Sequence, residues 1–127
     1  MATLNIPEGY QQIMPYLILK NAGDFIAFMK NVFGAEEKLR EMRNETTIMH
    51  AEIKLGNSTI MFADTTEQIS PQNTGLFIYV ADTDETYKKA LAAGATSIQE
   101  PVDQSYGRSA GIKDPFGNTL WITAVPR

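Results

Sequence analysis

The chain has 127 residues, 43% hydrophobic and 20% charged, with a formal net charge of −4, which fits one soluble globular domain around a single core. It has no cysteine, so disulfides, thiolate metal sites and thiol nucleophiles are excluded, and its 11 Lys and Arg residues form no run of the kind that grips a phosphate backbone. No nucleic-acid partner is expected. The opening stretch MATLNIPEGYQQ lacks the basic region and apolar run of a secretory signal, and no segment approaches the ~20 apolar residues of a membrane span, so a cytoplasmic protein without membrane association is expected.

Along the chain, one order of events occurs twice. Pro15–Glu37 and Gly75–Ser97 each run from a β-rich apolar stretch through a polar break into an amphipathic helix with a Gly-Ala stop. The stops, Gly34-Ala35 and Gly94-Ala95, lie sixty positions apart. Ala22, Phe25, Ile26, Met29, Val32 and Phe33 share one face of the first helix; Thr83, Tyr87, Ala90, Leu91 and Gly94 share one face of the second. Three short extended segments follow each helix: Glu37–Arg43, Thr47–Leu55 and Ser58–Ala63, then Ser97–Val102, Arg108–Asp114 and Thr119–Val125. Turn signals separate them, LGNS at Leu55–Ser58 and DPFG at Asp114–Gly117, the latter with Pro and Gly where a type I turn prefers them. The polar stretch Thr65–Gly75, with Pro71, reads as a linker. Each half is thus β-α-β-β-β. There is no GxSxG and no GxxxxGK[ST], which sets aside serine hydrolases of the nucleophile-elbow type and P-loop nucleotide enzymes.

The segments PYLIL, FIAFMKNVFGAEE, MHAEIKLGNSTIMFAD, YVADTDETYKKALAAGA and YGRSAGIKDPFGNTLWI, in this order and spacing, resemble the vicinal oxygen chelate superfamily, the glyoxalase/bleomycin-resistance/dioxygenase fold, and within it the PhnB-like branch. The resemblance covers nearly the whole chain and implies an α+β domain over residues 1–127: module one at about 12–64, a linker at about 65–74 and module two at about 75–127. It further implies that the two βαβββ modules form a curved, mostly antiparallel sheet, a cup for a small ligand with helices on the convex face, and that the protein is a homodimer. The linker is long enough for modules to pair within a chain or between chains. A ferredoxin-like α+β dimer is the competing architecture, but it leaves strands unassigned.

Metal-dependent members of that superfamily bind a divalent ion with His and Glu from the first and last strand of each module. By resemblance the four positions fall on Met14, Met61, Gly75 or Leu76, and Trp121. None supplies an imidazole or carboxylate, and thioethers suit hard or borderline ions poorly. No metal and no other cofactor are therefore expected, a divalent ion being open only to an atypical ligand set.

Strand alternation then distributes the remaining side chains. Met14, Tyr16 and Ile18 should face the cup with Leu17 and Leu19 beneath; Phe77 and Tyr79 should face it with Leu76, Ile78 and Val80 toward the helix; Thr119, Trp121 and Thr123 should face it over Leu120, Ile122 and Ala124. These aromatics form either a ligand-binding wall or a collapsed core. In IMHAEIKL, Ile48, His50, Glu52 and Lys54 share one face and Met49, Ala51, Ile53 and Leu55 the other, so His50 and Glu52 should point into the cup. As neighbours they are candidates for general acid–base catalysis or for hydrogen bonding to a ligand. Arg108, placed by the family pattern beside the cup, is a candidate for pairing with an anionic ligand group or Glu52, or for a surface ion pair. Two functions follow: a metal-free protein that captures a small organic ligand or drug through Met14, Tyr16, Met61, Phe77, Tyr79, Arg108 and Trp121, or a glyoxalase-like isomerase, lyase or dioxygenase-type enzyme using His50 and Glu52.

Overall fold

The computed structural model describes residues 2–126. Its elements are β1 (Tyr16–Leu19), α1 (Ala22–Phe33), β2 (Glu36–Met42), β3 (Ile48–Leu55), β4 (Ser58–Asp64), β5 (Gly75–Tyr79), α2 (Thr83–Ala92), β6 (Thr96–Gln104), β7 (Gly107–Lys113) and β8 (Thr119–Ala124). This is the expected α+β pattern of two βαβββ units, with the three strands after each helix within two residues of their expected ends. The strands form two four-stranded sheets, ordered β1-β4-β3-β2 and β5-β8-β7-β6. In each, the first and last strands of the unit pair in parallel and the other pairs are antiparallel.

The apolar period of α1 buries Ala22, Phe25, Ile26, Phe28, Met29 and Val32. Its first N–H groups need an outside acceptor, and Asp64 at the end of β4 supplies one: Oδ1 accepts from Ala22 N at 2.8 Å while Oδ2 accepts from Ile48 N at 2.6 Å. One buried carboxylate thus ties the helix start to two strands. Gly34, at φ 73°, closes the helix through its N–H to the Lys30 carbonyl. In α2 the Asp82 side chain accepts from Glu85 N at 3.0 Å, a conventional N-cap. Thr83, Tyr87 and Ala90 make its buried face. Leu91, expected on that face, stays 37% exposed because it falls at the edge of the stripe these three define.

One apolar cluster joins the two units, running from Leu17 and Phe25 through Phe62 and Tyr87 to Leu120 and Ile122. Each fully buried large side chain in it contributes about 1.5–3 kcal/mol relative to exposure. The units meet through α1 against α2, with Phe116 of the DPFG turn edge-on to Phe25 and Phe28 at centroid distances of 5.6 and 6.0 Å.

That turn is closed by Gly117 N donating to Asp114 O at 3.3 Å, and Asp114 Oδ1 accepts from Phe116 N and Asn118 N at 2.9 and 2.8 Å. The segment read as a linker is hydrogen-bonded to both units. Gln72 exchanges backbone hydrogen bonds with Ile18 at the β1 edge (2.8 and 3.2 Å), and Thr74 N donates to Asn118 Oδ1 at 3.1 Å.

Candidate functional site

Residues paired across a sheet share a face, so strand register lines up the site. In sheet one Tyr16 stands opposite Met61, Met61 opposite Glu52, and Glu52 opposite Leu39. His50 follows Glu52 on the same face, opposite Glu41. The expected pairing of His50 with Glu52 is present: Nε2 lies 2.8 Å from Glu52 Oε2. The other ring nitrogen, Nδ1, lies 3.0 Å from the Tyr16 hydroxyl, and the two rings stack at 5.6 Å.

A residue the sequence reading missed completes this group. Tyr10 donates its hydroxyl to Glu52 Oε1 at 2.5 Å. Its segment is held against the β3–β4 turn by Gln11 Nε2 to Asn57 O at 2.9 Å and by Thr59 Oγ1 to Gly9 O at 2.9 Å. Burial alone would raise the carboxyl of Glu52, which is 5% exposed. The hydrogen bonds from Tyr10 and His50, with the charge of His50, outweigh that and hold it below the usual carboxylate range. The hydrogen bond to Glu52 pushes the Tyr10 phenol up, with burial and the carboxylate charge acting in the same direction.

Sheet two repeats the row with different chemistry. Phe77 stands opposite Trp121, Trp121 opposite Gly111, and Gly111 opposite Gln99. Gly111 occupies the place of Glu52, and the indole lies across it: a Cβ there would sit 2.4 Å from Trp121 Cζ3. Phe77 meets Tyr79 edge-on at 5.3 Å, and Tyr106 reaches from the β6–β7 turn to 6.3 Å from Phe77. Phe77, Tyr79, Tyr106 and Trp121 are 50, 69, 53 and 36% exposed. A cleft of about 650 Å³ between the units takes in Phe77 and Tyr79 together with Ile13, Pro15, Leu55 and Ile60. His50 and Glu52 lie outside it.

Several expectations are corrected. Arg108 shares a strand face with Ala110 and Ile112, both buried toward α2. Its guanidinium forks onto Asp84 at the start of α2 (Nε–Oδ2 2.8 Å, Nη2–Oδ1 3.1 Å) and reaches Asp103 at 3.2 Å. It therefore forms the surface ion pair held open as an alternative, on the α2 side of sheet two, and does not meet Glu52. Ile48 is buried and Met49 is 47% exposed, the reverse of simple alternation, because Glu41 pairs with His50 but Met42 with Ile48, which makes Met49 the extra residue of a bulge. Ile18 and Thr123 lie on the expected faces yet are buried; Thr123 donates to Ser109 Oγ at 3.0 Å. Met14 precedes β1, and its Sδ accepts from Gln11 N at 3.2 Å.

The positions where a divalent ion would be held offer two thioethers, an indole, and Gly75 or Leu76. The nearby imidazole and carboxylate are bonded to each other, and among the described residues no three His, Asp or Glu side chains converge on a metal position. This donor set does not fit a divalent ion. Also among the described residues, no helix is long and apolar enough to cross a membrane.

Residues 10–122 match the sequence profile of the Glyoxalase/Bleomycin resistance protein/Dioxygenase superfamily. An uncharacterized protein of Mycobacterium bovis is 29% identical over 126 residues, covering 90% of this chain and 82% of that protein. Among solved structures, TioX from Micromonospora sp. ML1 superposes with a TM-score of 0.73 at 23% identity, covering 91% of this chain and 99% of TioX. The PhnB protein of Bacillus cereus superposes at 0.75 with 16% identity, covering 91% of this chain and all of that one. The profile spans both βαβββ units and both rows, and the solved structures share their architecture: the chain belongs to the glyoxalase/bleomycin resistance protein/dioxygenase superfamily, the vicinal oxygen chelate fold.

Proposed function

We propose that the protein is a metal-free small-molecule-binding member of this superfamily, of the PhnB-like branch and cytoplasmic, which captures a small organic ligand or drug between its aromatic and hydrogen-bonding rows. The observation that carries this reading is the aromatic row itself. Phe77, Tyr79, Tyr106 and Trp121 stand exposed together on the face of sheet two turned away from α2. Covering such a patch is favourable at about 25 cal/mol per Å², and flat rings present their faces to a planar ligand. The Tyr16–His50–Glu52 row supplies the few fixed polar groups that orient a ligand in an otherwise apolar site. Within one chain the units meet through their helices, which leaves the aromatic face of sheet two uncovered and the matching face of sheet one covered by the Tyr10 segment only around Glu52 and Thr59. A homodimer that sets the first unit of one copy against the second unit of the other would close them into cups. The PhnB-like assignment draws support from the shared architecture of the Bacillus cereus PhnB protein.

A second reading, a glyoxalase-like isomerase, lyase or dioxygenase-type enzyme, draws on the His50–Glu52 contact. Acid–base catalysis needs a ring nitrogen open to substrate, and both nitrogens of His50 are engaged. That favours binding.

The test follows Trp121, the only tryptophan. Metal-stripped protein is titrated first with Mn²⁺ and then with a panel of aromatic compounds, with Trp121 emission and retained metal measured alongside sedimentation. The expected result is no retained metal, a dimer, and saturable changes with aromatic compounds that Trp121→Ala abolishes. Retained stoichiometric Mn²⁺, turnover of glyoxalase-type substrates that His50→Ala removes, or aromatic affinities untouched by Trp121→Ala would overturn it.

A further inference from the structure

We propose, building on the binding reading above, that the Tyr10–Glu52–His50–Tyr16 chain fixes the polarity of the Tyr16 hydroxyl, so that with a neutral imidazole the site selects ligands bearing a hydrogen-bond donor. The argument runs from the buried end outward. Tyr10 donates to one oxygen of Glu52, and an ionised carboxylate only accepts. The nitrogen 2.8 Å from the other oxygen, His50 Nε2, therefore carries the proton. In a neutral imidazole the second nitrogen is then bare. Nδ1 must accept from Tyr16, 3.0 Å away, and the Tyr16 hydroxyl turns its lone pairs to the cup. Tyr16, 48% exposed, is the member of the chain most open to a ligand. A partner for it carries an N–H or O–H beside a ring that stacks on the aromatic row.

Protonation of His50 reverses this. Nδ1 then donates, Tyr16 accepts from it, and the Tyr16 proton is released toward the cup, where it suits a carbonyl or another acceptor. The charged and titratable groups around the ring are Glu41 from β2, Glu52 and Lys54 from β3, Tyr16 from β1 and Tyr10 from the N-terminal segment; the β4 residues on that face, Thr59, Met61 and Ala63, carry no charge. His50 is thus a positioning residue that acts through Tyr16.

Because the chain has one histidine, ¹⁵N NMR reads its tautomer without ambiguity. The expected spectrum at about pH 8, above the ordinary titration of histidine, is Nε2–H with an unprotonated, hydrogen-bonded Nδ1 whose shift moves in Tyr16→Phe. Two uncharged probes of the same ring are then titrated: aniline, which donates, and acetophenone, which only accepts. Aniline should bind about three- to tenfold more tightly, the worth of one hydrogen bond, and Tyr16→Phe should erase the difference while ring stacking persists. An Nδ1–H tautomer overturns the proposal whatever binds. An Nε2–H tautomer with acetophenone preferred, or with a preference unchanged in Tyr16→Phe, overturns it while the binding reading stands. If neither probe binds the wild type, the binding reading falls and takes this selectivity with it.

Discussion

Gly111→Ala tests the packing of the aromatic row. A Cβ at this position would lie 2.4 Å from Trp121 Cζ3 and 2.8 Å from Cε3, where carbon atoms ordinarily rest about 3.5–4.0 Å apart. One side must therefore yield by more than about 1 Å. The β7 backbone cannot, because Gly111 is paired on both flanks, with Trp121 and with Gln99. The indole can, because it is 36% exposed and swings outward into solvent. Overpacking usually costs about 1–3 kcal/mol; a ring free to leave places this case at the low end, and the smaller unfolded-state entropy of alanine returns about 0.4–1 kcal/mol. The net loss in urea denaturation should therefore be no more than about 1 kcal/mol. Trp121 emission should shift to the red, and aniline affinity should fall as in Trp121→Ala. Unchanged emission would refute the placement of the ring over Gly111. A loss above about 3 kcal/mol would refute its freedom to move.

Gly107→Ala offers a contrast at nearly the same distance: its Cβ would meet the Ala124 carbonyl oxygen at 2.5 Å with φ at +141°. Backbone cannot swing away, so urea denaturation should show a loss of about 3 kcal/mol, and near-neutral behaviour would contradict the register of β7 and β8. Asp64→Ala strips acceptors from the buried N–H groups of Ala22 and Ile48 and should cost about 2–4 kcal/mol by the same assay; an effect below about 1 kcal/mol would mean other acceptors replace it. Glu52 titrates lower in the folded chain than its ordinary value near about 4.3, so its stabilisation is complete above that value and is lost as pH falls through the folded one. Glu52→Gln should flatten this acid limb in denaturation midpoints measured from about pH 3 to 7. Asp114, raised by burial against its hydrogen bonds, runs the other way. Its contribution is full below about 3.9 and declines as pH rises through its folded value, so Asp114→Asn should remove a loss at neutral pH while costing the bond from Asn118 Nδ2.

Element order was readable from the sequence because helix period and strand alternation report which face is buried, and the Gly-Ala stops and turn residues mark the ends. That Tyr16, Phe77, Tyr79 and Trp121 lie on the sheet faces turned away from the helices followed from the same alternation. It failed at Met49, where a bulge inserts one residue and nothing local announces it. For Arg108 the ion-pair alternative is the one the structure shows, and Ala110 and Ile112, two and four residues on, carried the signal that its face turns toward α2. Tyr10 gave no signal, since its contact with Glu52 spans 42 positions and belongs to a segment without periodicity. Gly111 was legible only as a glycine in a strand; that it clears space for an indole needed the register between β7 and β8.

The stitching of residues 72–74 to the β1 edge and to Asn118 bears on how two copies of the chain would meet. A slack connection would leave each unit free to tumble against the other, and assembly would have to freeze that motion along with the ordinary loss of translation and rotation. Here the relative angle of the units is set during folding of the single chain. A second copy would encounter a partner whose connection is already ordered, and the free energy of covering the two faces would not be diminished by ordering it.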